Sequence, residues 1–226
     1  MVVITHASID ENKNIKGGKA GDQTGKEVCS RPWYNKPWDT VIRFTDPSWR
    51  DRFAYAMEKA AANDHIGYDQ NQRNSLLEEA RKYGYDPGRV TKDCETDCSA
   101  LVALCCMYAG VPENRLFVNG NSPTTRNIEK RLWETGRVQI FKTKDYTQST
   151  EKLVRGDILL STGHHVAGVT KTDNVSKLNS TKSNIEVAKE VLSGKWGNGQ
   201  TRRDRLTSAG YNYDEIQKCV NQLIHG

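Results

Sequence analysis

The chain has 226 residues, a net charge of +5 and a mean hydropathy of −0.75, values typical of a polar protein with one medium domain and one small one. No stretch approaches the ~18 consecutive apolar residues of a membrane helix, so we expect no membrane insertion. The apolar start, Met1 to Ile4, is too short for a secretory signal peptide. We therefore expect the protein to accumulate in the cytoplasm of the cell that makes it, where its six cysteines stay reduced.

Residues 7–50 are predicted to be irregular, because they are rich in Gly, Lys and Asn. Their aromatic residues are Trp33, Tyr34, Trp38 and Trp49. Such a cluster can form a wall on which sugars stack, or it can pack a long loop against the domain. We favour packing. Helices are predicted next, since apolar residues recur at helical spacing over residues 49–62 and 70–83.

The longest apolar run of the chain begins with a thiol. Ala, Leu and Met favour a helix after Asp97, and Gly110 followed by Pro112 predicts its end. Cys98 would lie in the first turn, where free N–H groups and the positive end of the helix dipole favour thiolate over thiol. Cys98 is therefore a candidate nucleophile, although a buried cysteine is also common as a small core residue.

A zinc site is the alternative for the thiols Cys94, Cys98, Cys105 and Cys106. A helix rises about 10 Å over seven residues, whereas two sulfurs on one zinc each lie ~2.3 Å from the ion. Cys98 and Cys105 therefore cannot share an ion if both are helical. We predict no metal site and no cofactor, and we place Cys105 in the core.

A base for the thiol is expected between Leu153 and Val169. This stretch predicts a strand, a tight turn and a second strand that opens with His164 and His165. A cysteine nucleophile needs a nearby base, usually His, and adjacent side chains of a strand point to opposite faces. Only one of the two imidazoles can therefore face Cys98. We favour His165 over His164.

The sequence around these residues resembles one family. The matching segments are Asp97-Cys98-Ser99-Ala100-Leu101-Val102, Arg155-Gly156-Asp157-Ile158 and His165-Val166-Ala167. Their order and spacing are similar to the motifs of NlpC-type cysteine peptidases, papain-like peptidoglycan hydrolases related to the CHAP amidases. The chain departs at Ala100, where the family usually has Gly, and at Gly168, where it usually has a branched residue. We expect Asp157 to hold a turn rather than to act in catalysis.

This resemblance implies an α+β fold in which helices pack on a small antiparallel sheet. It also implies that Cys98 is the nucleophile and His165 the base. The third catalytic member, which orients the imidazole, should lie one strand later, where Asp173 and Asn174 follow. We favour Asp173. Tyr68, which precedes the Asp-Cys-Ser motif, is a candidate substrate-binding residue.

A second resemblance covers the C-terminal segment. Residues 176–183 predict a polar linker, and residues 184–226 predict three short helices. The segments Trp196-Gly197-Asn198-Gly199 and Ala209-Gly210-Tyr211 closely resemble the CW-seven cell-wall-binding repeat of phage lysozymes. The resemblance therefore divides the chain into a hydrolase domain over residues 1–175, the linker and a wall-binding repeat.

Four side chains of this repeat are candidate ligands for the disaccharide-dipeptide unit of peptidoglycan that such repeats bind. Trp196 and Tyr211 offer faces on which sugars can stack. Arg202 or Arg205 could pair with a muramyl-peptide carboxylate through two hydrogen bonds. The alternative is that the aromatic residues form the core of a very small bundle.

The two resemblances together imply a phage endolysin. Such an enzyme would cleave an amide bond in the peptidoglycan stem peptide, either the γ-D-glutamyl–diamino acid bond or the muramoyl-L-alanine bond. It would wait in the host cytoplasm until a holin opens the membrane. One small wall-binding unit should bind weakly, so we also expect several copies to act together, which makes a homo-oligomer a candidate state.

Two other functions compete with this expectation. A non-catalytic wall-binding protein with a decayed peptidase domain is the main alternative, and the intact Cys98 and His165 argue against it. A nucleic-acid binder is disfavoured, because residues 184–226 carry six Lys or Arg against five Asp or Glu and form no dominant basic patch.

Overall fold

The computed structural model describes residues 1–172, 184–208, 211 and 213–225. The chain divides into two compact units, Met1–Asn174 and Val175–Gly226. Within the described residues, every helix is too short or too polar to span a bilayer.

A six-stranded antiparallel sheet organises the first unit, with strand order β2-β1-β8-β7-β3-β6 among the described residues. The strands of this sheet are β1 (Val3–Ala7), β2 (Val28–Pro32), β3 (Thr40–Phe44), β6 (Val138–Phe141), β7 (Ile158–Ser161) and β8 (His165–Lys171). A short parallel pair, β4 (Ile66–Tyr68) and β5 (Cys94–Thr96), lies apart from it. The strand-turn-strand predicted around the His pair is therefore confirmed as β7 and β8.

The helices of the first unit are α1 (Pro47–Ala61), α2 (Ser75–Ala80), α3 (Cys98–Ala109), α4 (Glu113–Leu116), α5 (Ile128–Trp133) and α6 (Lys144–Thr147), with 3₁₀ turns at Arg81–Tyr83 and Pro87–Arg89. Helices α1 and α3 cover one face of the sheet, where they bury Phe53, Met57 and Leu101 against Ile158 and Val166. The predicted α+β class, with helices on an antiparallel sheet, is confirmed.

Gly168 allows α1 to pack closely on β8. A Cβ atom at this position would lie 2.9 Å from the ring of Phe53, closer than real Cβ contacts come, and 3.1 Å from Met57, which is tighter than most of them. The sequence therefore departs from the related motif at Gly168 because a branched side chain would push α1 off the sheet.

The opposite face of the sheet carries a second, smaller core that includes Ile4, Trp38, Ala167 and Val169. Beneath β7, the buried Asp157 accepts hydrogen bonds from Arg43 at 2.6 and 2.8 Å and from the backbone N–H of Val154 at 2.8 Å. Asp157 thus fixes the turn that enters β7, as predicted.

The prediction that residues 7–50 are irregular is wrong in part. Two strands of the main sheet, β2 and β3, lie within this range, β1 ends at its first residue, Ala7, and α1 begins at Pro47. Each of the three strands has five residues, and β2 is an edge strand whose last three residues are exposed. Strands this short give a weak alternation signal, and the Gly- and Lys-rich connections around them dominate the composition.

The second unit contains helices Asn184–Leu192, Gly199–Ser208 and Tyr213–His225 in its described residues. Their apolar residues bury one another, and the members of this core are Val187, Ala188, Val191, Leu206, Ile216 and Val220. Helical periodicity predicts the first and third of these helices, which each have an apolar face, whereas the middle helix adds only Leu206 to the core.

Candidate active site

Helix α3 presents Cys98 at its first position. Asp97 is the N-cap, and its carboxylate accepts a hydrogen bond from the backbone N–H of Ala100 at 2.7 Å. Arg73 binds the same carboxylate through Nε at 2.6 Å and Nη2 at 3.0 Å. It also donates to the carbonyl oxygen of Pro123 at 2.6 Å. The start of the helix, and with it the thiol, is therefore held from two sides.

Burial controls the resting charge of this thiol. Cys98 is only 7% exposed, and burial raises the pKa of its thiol to about 12 because a thiolate would lose its hydration there. The backbone N–H groups of Val166 and Ser99 lower the pKa by hydrogen bonding to the sulfur. The N–H groups at the helix start thus favour the thiolate, as predicted, but burial outweighs them and raises the pKa of Cys98 overall. Cys98 therefore rests as a thiol, and an attack by its sulfur would require a base.

His165 is the first residue of β8 and is hydrogen-bonded to a second histidine. Its Nε2 lies 2.8 Å from Nδ1 of His6 on β1, and the two rings meet edge to face with centroids 5.0 Å apart. His165 is 8% exposed and His6 is 3% exposed. The imidazole of His165 is therefore held in one orientation by a buried partner from the first strand of the chain.

Strands β1 and β8 separate at this pair. The two strands pair from Val3 to Thr5, whereas β1 continues to Ala7 paired with β2. The backbone N–H of Val166, in the peptide group that directly follows His165, lowers the pKa of the Cys98 thiol. Cys98 and Val166 belong to the core between the helices and the sheet, whereas His165 alternates with Val166 and shares the face of Ala167, which belongs to the opposite core.

Among the described residues, the Cys98 sulfur forms no hydrogen bond with the His165 ring. The hydrogen-bond partner of that ring is His6. Catalytic hydrogen bonds often form only when substrate binds. Proton transfer from Cys98 to His165 would therefore require a rotation of the thiol or a tightening of the site around a substrate.

Both histidines of the pair are neutral at pH 7. Burial lowers the pKa of His165 to about 3 and the pKa of His6 to about 4, with smaller contributions from Arg31 and Lys36. In a neutral pair one ring donates and the other accepts. On the far side of the pair, the Cys29 sulfur lies 3.8 Å from Nε2 of His6. The side chains of His165, His6 and Cys29 thus follow one another along the sheet.

Two aromatic residues, Trp38 and Tyr68, lie near His165 and Cys98. The Trp38 ring lies 6.1 Å from the His165 ring, and its Nε1 donates to the carbonyl oxygen of Tyr34 at 3.1 Å. Tyr68 on β4 is 3% exposed, and burial, with smaller contributions from Cys98 and Asp97, raises the pKa of its hydroxyl to about 12. Tyr68 therefore lies in the neighbourhood of Cys98, and Trp38 packs over His165 rather than in an exposed wall.

The two candidate bases, His164 and His165, differ in burial. His164 is exposed in the turn that precedes β8, whereas His165 is buried beside His6. The preferred third member, Asp173, and its alternative, Asn174, lie outside the described residues. His6 was not predicted from the sequence, because a third member was expected only after His165. Its alternation with Ile4 on one face of β1 was the available signal.

A cavity of about 780 Å³ borders the far side of the pair. Its described lining includes His6, Cys29, Arg31, Asp10 and Glu11 but neither Cys98 nor His165. This cavity therefore adjoins His6 rather than the Cys98 thiol.

In the second unit, the four predicted ligands have different surroundings. Trp196 and Tyr211 meet edge to face at 5.6 Å and are partly buried on the helical core. Arg202 donates to the carbonyl oxygen of Gly197 at 3.0 Å and to the Asn198 side chain at 2.9 Å, so it braces the preceding turn. Arg205 is exposed.

Comparison with known proteins gives two family matches. An endolysin-like domain matches residues 4–177, and a CW_7 repeat matches residues 186–224. A lysozyme of Streptococcus phage Cp-7 is 47% identical over 53 residues, which are 24% of this chain and 16% of that lysozyme. No solved structure matches the chain. Because the first match covers the whole unit that carries Cys98, His165 and His6, the chain belongs to the endolysin-like domain family, with a CW_7 repeat at its C-terminal end.

Proposed function

We propose that this chain is a phage endolysin that hydrolyses an amide bond of the peptidoglycan stem peptide with Cys98 as nucleophile and His165 as general base. The observation that supports the proposal is the packing of α3, which begins at Cys98 after a capped start, on β8, which begins at the buried and hydrogen-bonded His165. A cysteine peptidase of the NlpC type, with a papain-like arrangement, fits this geometry. The endolysin-like domain and the CW_7 repeat both support the bacterial cell wall as its substrate.

The reaction is acyl transfer. The Cys98 sulfur attacks the amide carbonyl carbon while His165 takes the thiol proton, and the imidazolium then gives that proton to the leaving amine. Water, deprotonated by His165, releases the stem peptide's acyl group from the thioester and restores the thiol. The backbone N–H of Cys98 at the start of α3, with one further donor, would stabilise the negative charge that develops on the carbonyl oxygen.

His6 takes the role of a positioning residue in this mechanism. For His165 to accept the proton at Nδ1, its Nε2 must carry the hydrogen and donate it to Nδ1 of His6, at the observed 2.8 Å. This tautomer gives Nε2 of His6 the hydrogen that faces Cys29. When His165 becomes charged, the same hydrogen bond becomes charge-assisted and therefore stronger. An acceptor at this position thus favours the imidazolium intermediate, a function that the sequence analysis assigns to Asp173.

The test is a pair of cysteine variants of the full chain. Cys98→Ala should reduce lysis of purified walls by at least about 10³-fold, because removing a nucleophile removes the chemical step. Cys105→Ala is the matched control: it deletes a fully buried thiol of the same helix and should lose stability but keep the activity per folded molecule. Substantial lysis by Cys98→Ala would refute the nucleophile assignment.

The reaction products identify the bond that is cut. Mass spectrometry of released muropeptides distinguishes the two expected reactions, since an amidase exposes the lactyl carboxylate of muramic acid and an endopeptidase exposes a diamino-acid amine. The same measurement tests the non-catalytic alternative. Wall binding without any new muropeptide would indicate a binding protein with a decayed peptidase domain.

A further inference from the structure

Strand β2 places an arginine on the same face of the sheet as the histidine pair. In the register of β1 and β2, His6 lies opposite Cys29 and Ile4 lies opposite Arg31. Opposite residues of an antiparallel pair share a face, and so do alternate residues of one strand. Arg31 therefore lies on the face that carries His6, two residues further along β2 than Cys29.

Aromatic rings connect Arg31 to His165. The Arg31 guanidinium lies over the Tyr34 ring, 4.7 Å from its centroid, a distance at which a cation and an aromatic face attract each other. The Tyr34 ring lies 5.8 Å from the Trp38 ring, which in turn lies 6.1 Å from the His165 ring. The guanidinium of this exposed residue is thus held at a defined place near the histidine pair.

The cavity of about 780 Å³ that adjoins His6 has a basic wall. Three exposed basic residues, Lys13, Lys26 and Arg31, line it. In the part of the chain that the structure describes, none of the three forms a salt bridge. Their charges are therefore available to an anion that enters the cavity.

Asp10 and Glu11 also line the cavity, but their oxygens are hydrogen-bonded or buried. Oδ1 of Asp10 accepts hydrogen bonds from the backbone N–H groups of Asn12 and Asn14 at 2.9 and 2.6 Å. Oε1 of Glu11 accepts from the Asn12 side chain and from the N–H of Lys19, each at 3.1 Å. The second oxygen of each carboxylate is buried away from solvent. The charges without a partner at the cavity surface are therefore the basic ones.

The positive charge of this region reaches the histidine pair. Burial is the main cause of the lowered pKa values of His6 and His165, and the charges of Arg31 and Lys36 lower both pKa values further. An anion bound beside Arg31 would offset these charges. It would thereby favour the imidazolium that His165 becomes during the proposed reaction.

We propose that Arg31 binds a carboxylate of the peptidoglycan stem peptide, with Lys36 and the basic wall of the cavity adding positive charge around it. This inference rests on the proposed function, because the stem peptide is the substrate that the proposed reaction brings to His165. A γ-linked glutamyl residue keeps its α-carboxylate free, and the end of the stem peptide carries another carboxylate. A guanidinium matches either group through two parallel hydrogen bonds.

Cleavage of soluble probes by the full chain tests the proposal, because hydrolysis reports only the unit that carries Cys98. The probes are disaccharide-tripeptides with lysine as the diamino acid. One has both carboxylates free, one is amidated at the D-glutamyl α-carboxylate, and one is amidated at the C-terminal carboxylate. Amidation of the carboxylate that Arg31 binds should lower kcat/KM of the parent about tenfold, the lower end for a hydrogen bond to a charged group, because Arg31 is exposed.

Arg31→Gln should cleave that amidated probe and the free probe with equal kcat/KM, since the interaction is already lost. Arg115→Gln removes the same charge at an exposed position outside the cavity lining. It is the matched control and should keep the tenfold preference. Equal kcat/KM of the parent for all three probes would overturn the proposal, and so would an undiminished preference in Arg31→Gln.

Failure of this inference and failure of the proposed function give different results. Cleavage by the parent without a preference that depends on Arg31 refutes only the carboxylate site. If no probe is cleaved, the proposed hydrolysis fails, and calorimetric titration of the free probe into the parent and into Arg31→Gln decides the inference. Both proteins carry the same C-terminal repeat, so about tenfold weaker binding to Arg31→Gln would support the site, and equal binding to both proteins would overturn it.

Discussion

Replacing His6 with Ala tests the part of the site that the tertiary structure supplies. The hydrogen bond from His165 to His6 measures 2.8 Å between two buried rings. A hydrogen bond to a charged group contributes about 1.5–3 kcal/mol, and the His165 imidazolium forms only as the thiol reacts. Since each 1.36 kcal/mol changes a rate about tenfold, His6→Ala should lower kcat by about 10- to 150-fold.

The assay is single-turnover cleavage of soluble muropeptides by folded protein, measured between pH 4 and pH 9 and normalised to the folded fraction. His6→Asn keeps an acceptor oxygen near the position of Nδ1 and should recover much of the rate. His164→Ala, in the exposed turn before β8, is the control and should behave as the parent does. A merely structural role would lower the folded fraction and leave the rate of the folded molecules and its pH profile unchanged.

Two results would refute the assignment of His6. Parent-like kcat in His6→Ala would show that another residue orients His165, and Asp173 would then be the first candidate. An equal loss in His6→Ala and His6→Asn, with an unchanged pH profile, would show that the position needs an imidazole for packing and not for its acceptor.

Three further predictions concern stability and wall binding. The pKa of Glu95 is raised in the folded state from 4.5 to about 8, so its stabilising contribution is present below pH 4.5 and is lost as the pH rises through about 8. Urea unfolding should therefore show the stability of Glu95→Gln gaining on that of the parent across this window, and a constant difference would contradict the shift. Removing residues 184–226 should leave cleavage of soluble muropeptides unchanged and weaken lysis of intact walls. In sedimentation with purified sacculi, Arg205→Ala should reduce binding about tenfold if the Arg205 side chain pairs with a carboxylate of the wall. Arg202→Ala removes the hydrogen bond to the Gly197 carbonyl oxygen, so it should also lower the helix content measured by circular dichroism. Equal sedimentation of Arg205→Ala and the parent would place the binding surface elsewhere.

Local patterns of the sequence predict much of this protein. Three features are each encoded within about 20 residues: the apolar helix that starts at Cys98, its end at Gly110, and the strand, turn and strand around His165. The structure contains all three. The helical periodicity of the second unit also depends only on neighbouring residues. Such features can be predicted because backbone hydrogen bonding and side-chain direction are local.

The partner of His165 could not be predicted in the same way. β1 lies beside β8 although more than 150 residues separate His6 from His165 in sequence, and strand order depends on which apolar faces the whole sheet buries. The raised pKa values of Glu95 and Cys98 likewise depend on long-range contacts, because burial by distant segments decides the cost of a charge. The sequence by itself determined the helix that begins at Cys98, the strand that begins at His165 and the CW_7 repeat. Only the tertiary structure decided that His6 of the first strand hydrogen-bonds His165 and that burial keeps the Cys98 thiol protonated, because both follow from packing between segments far apart in the chain.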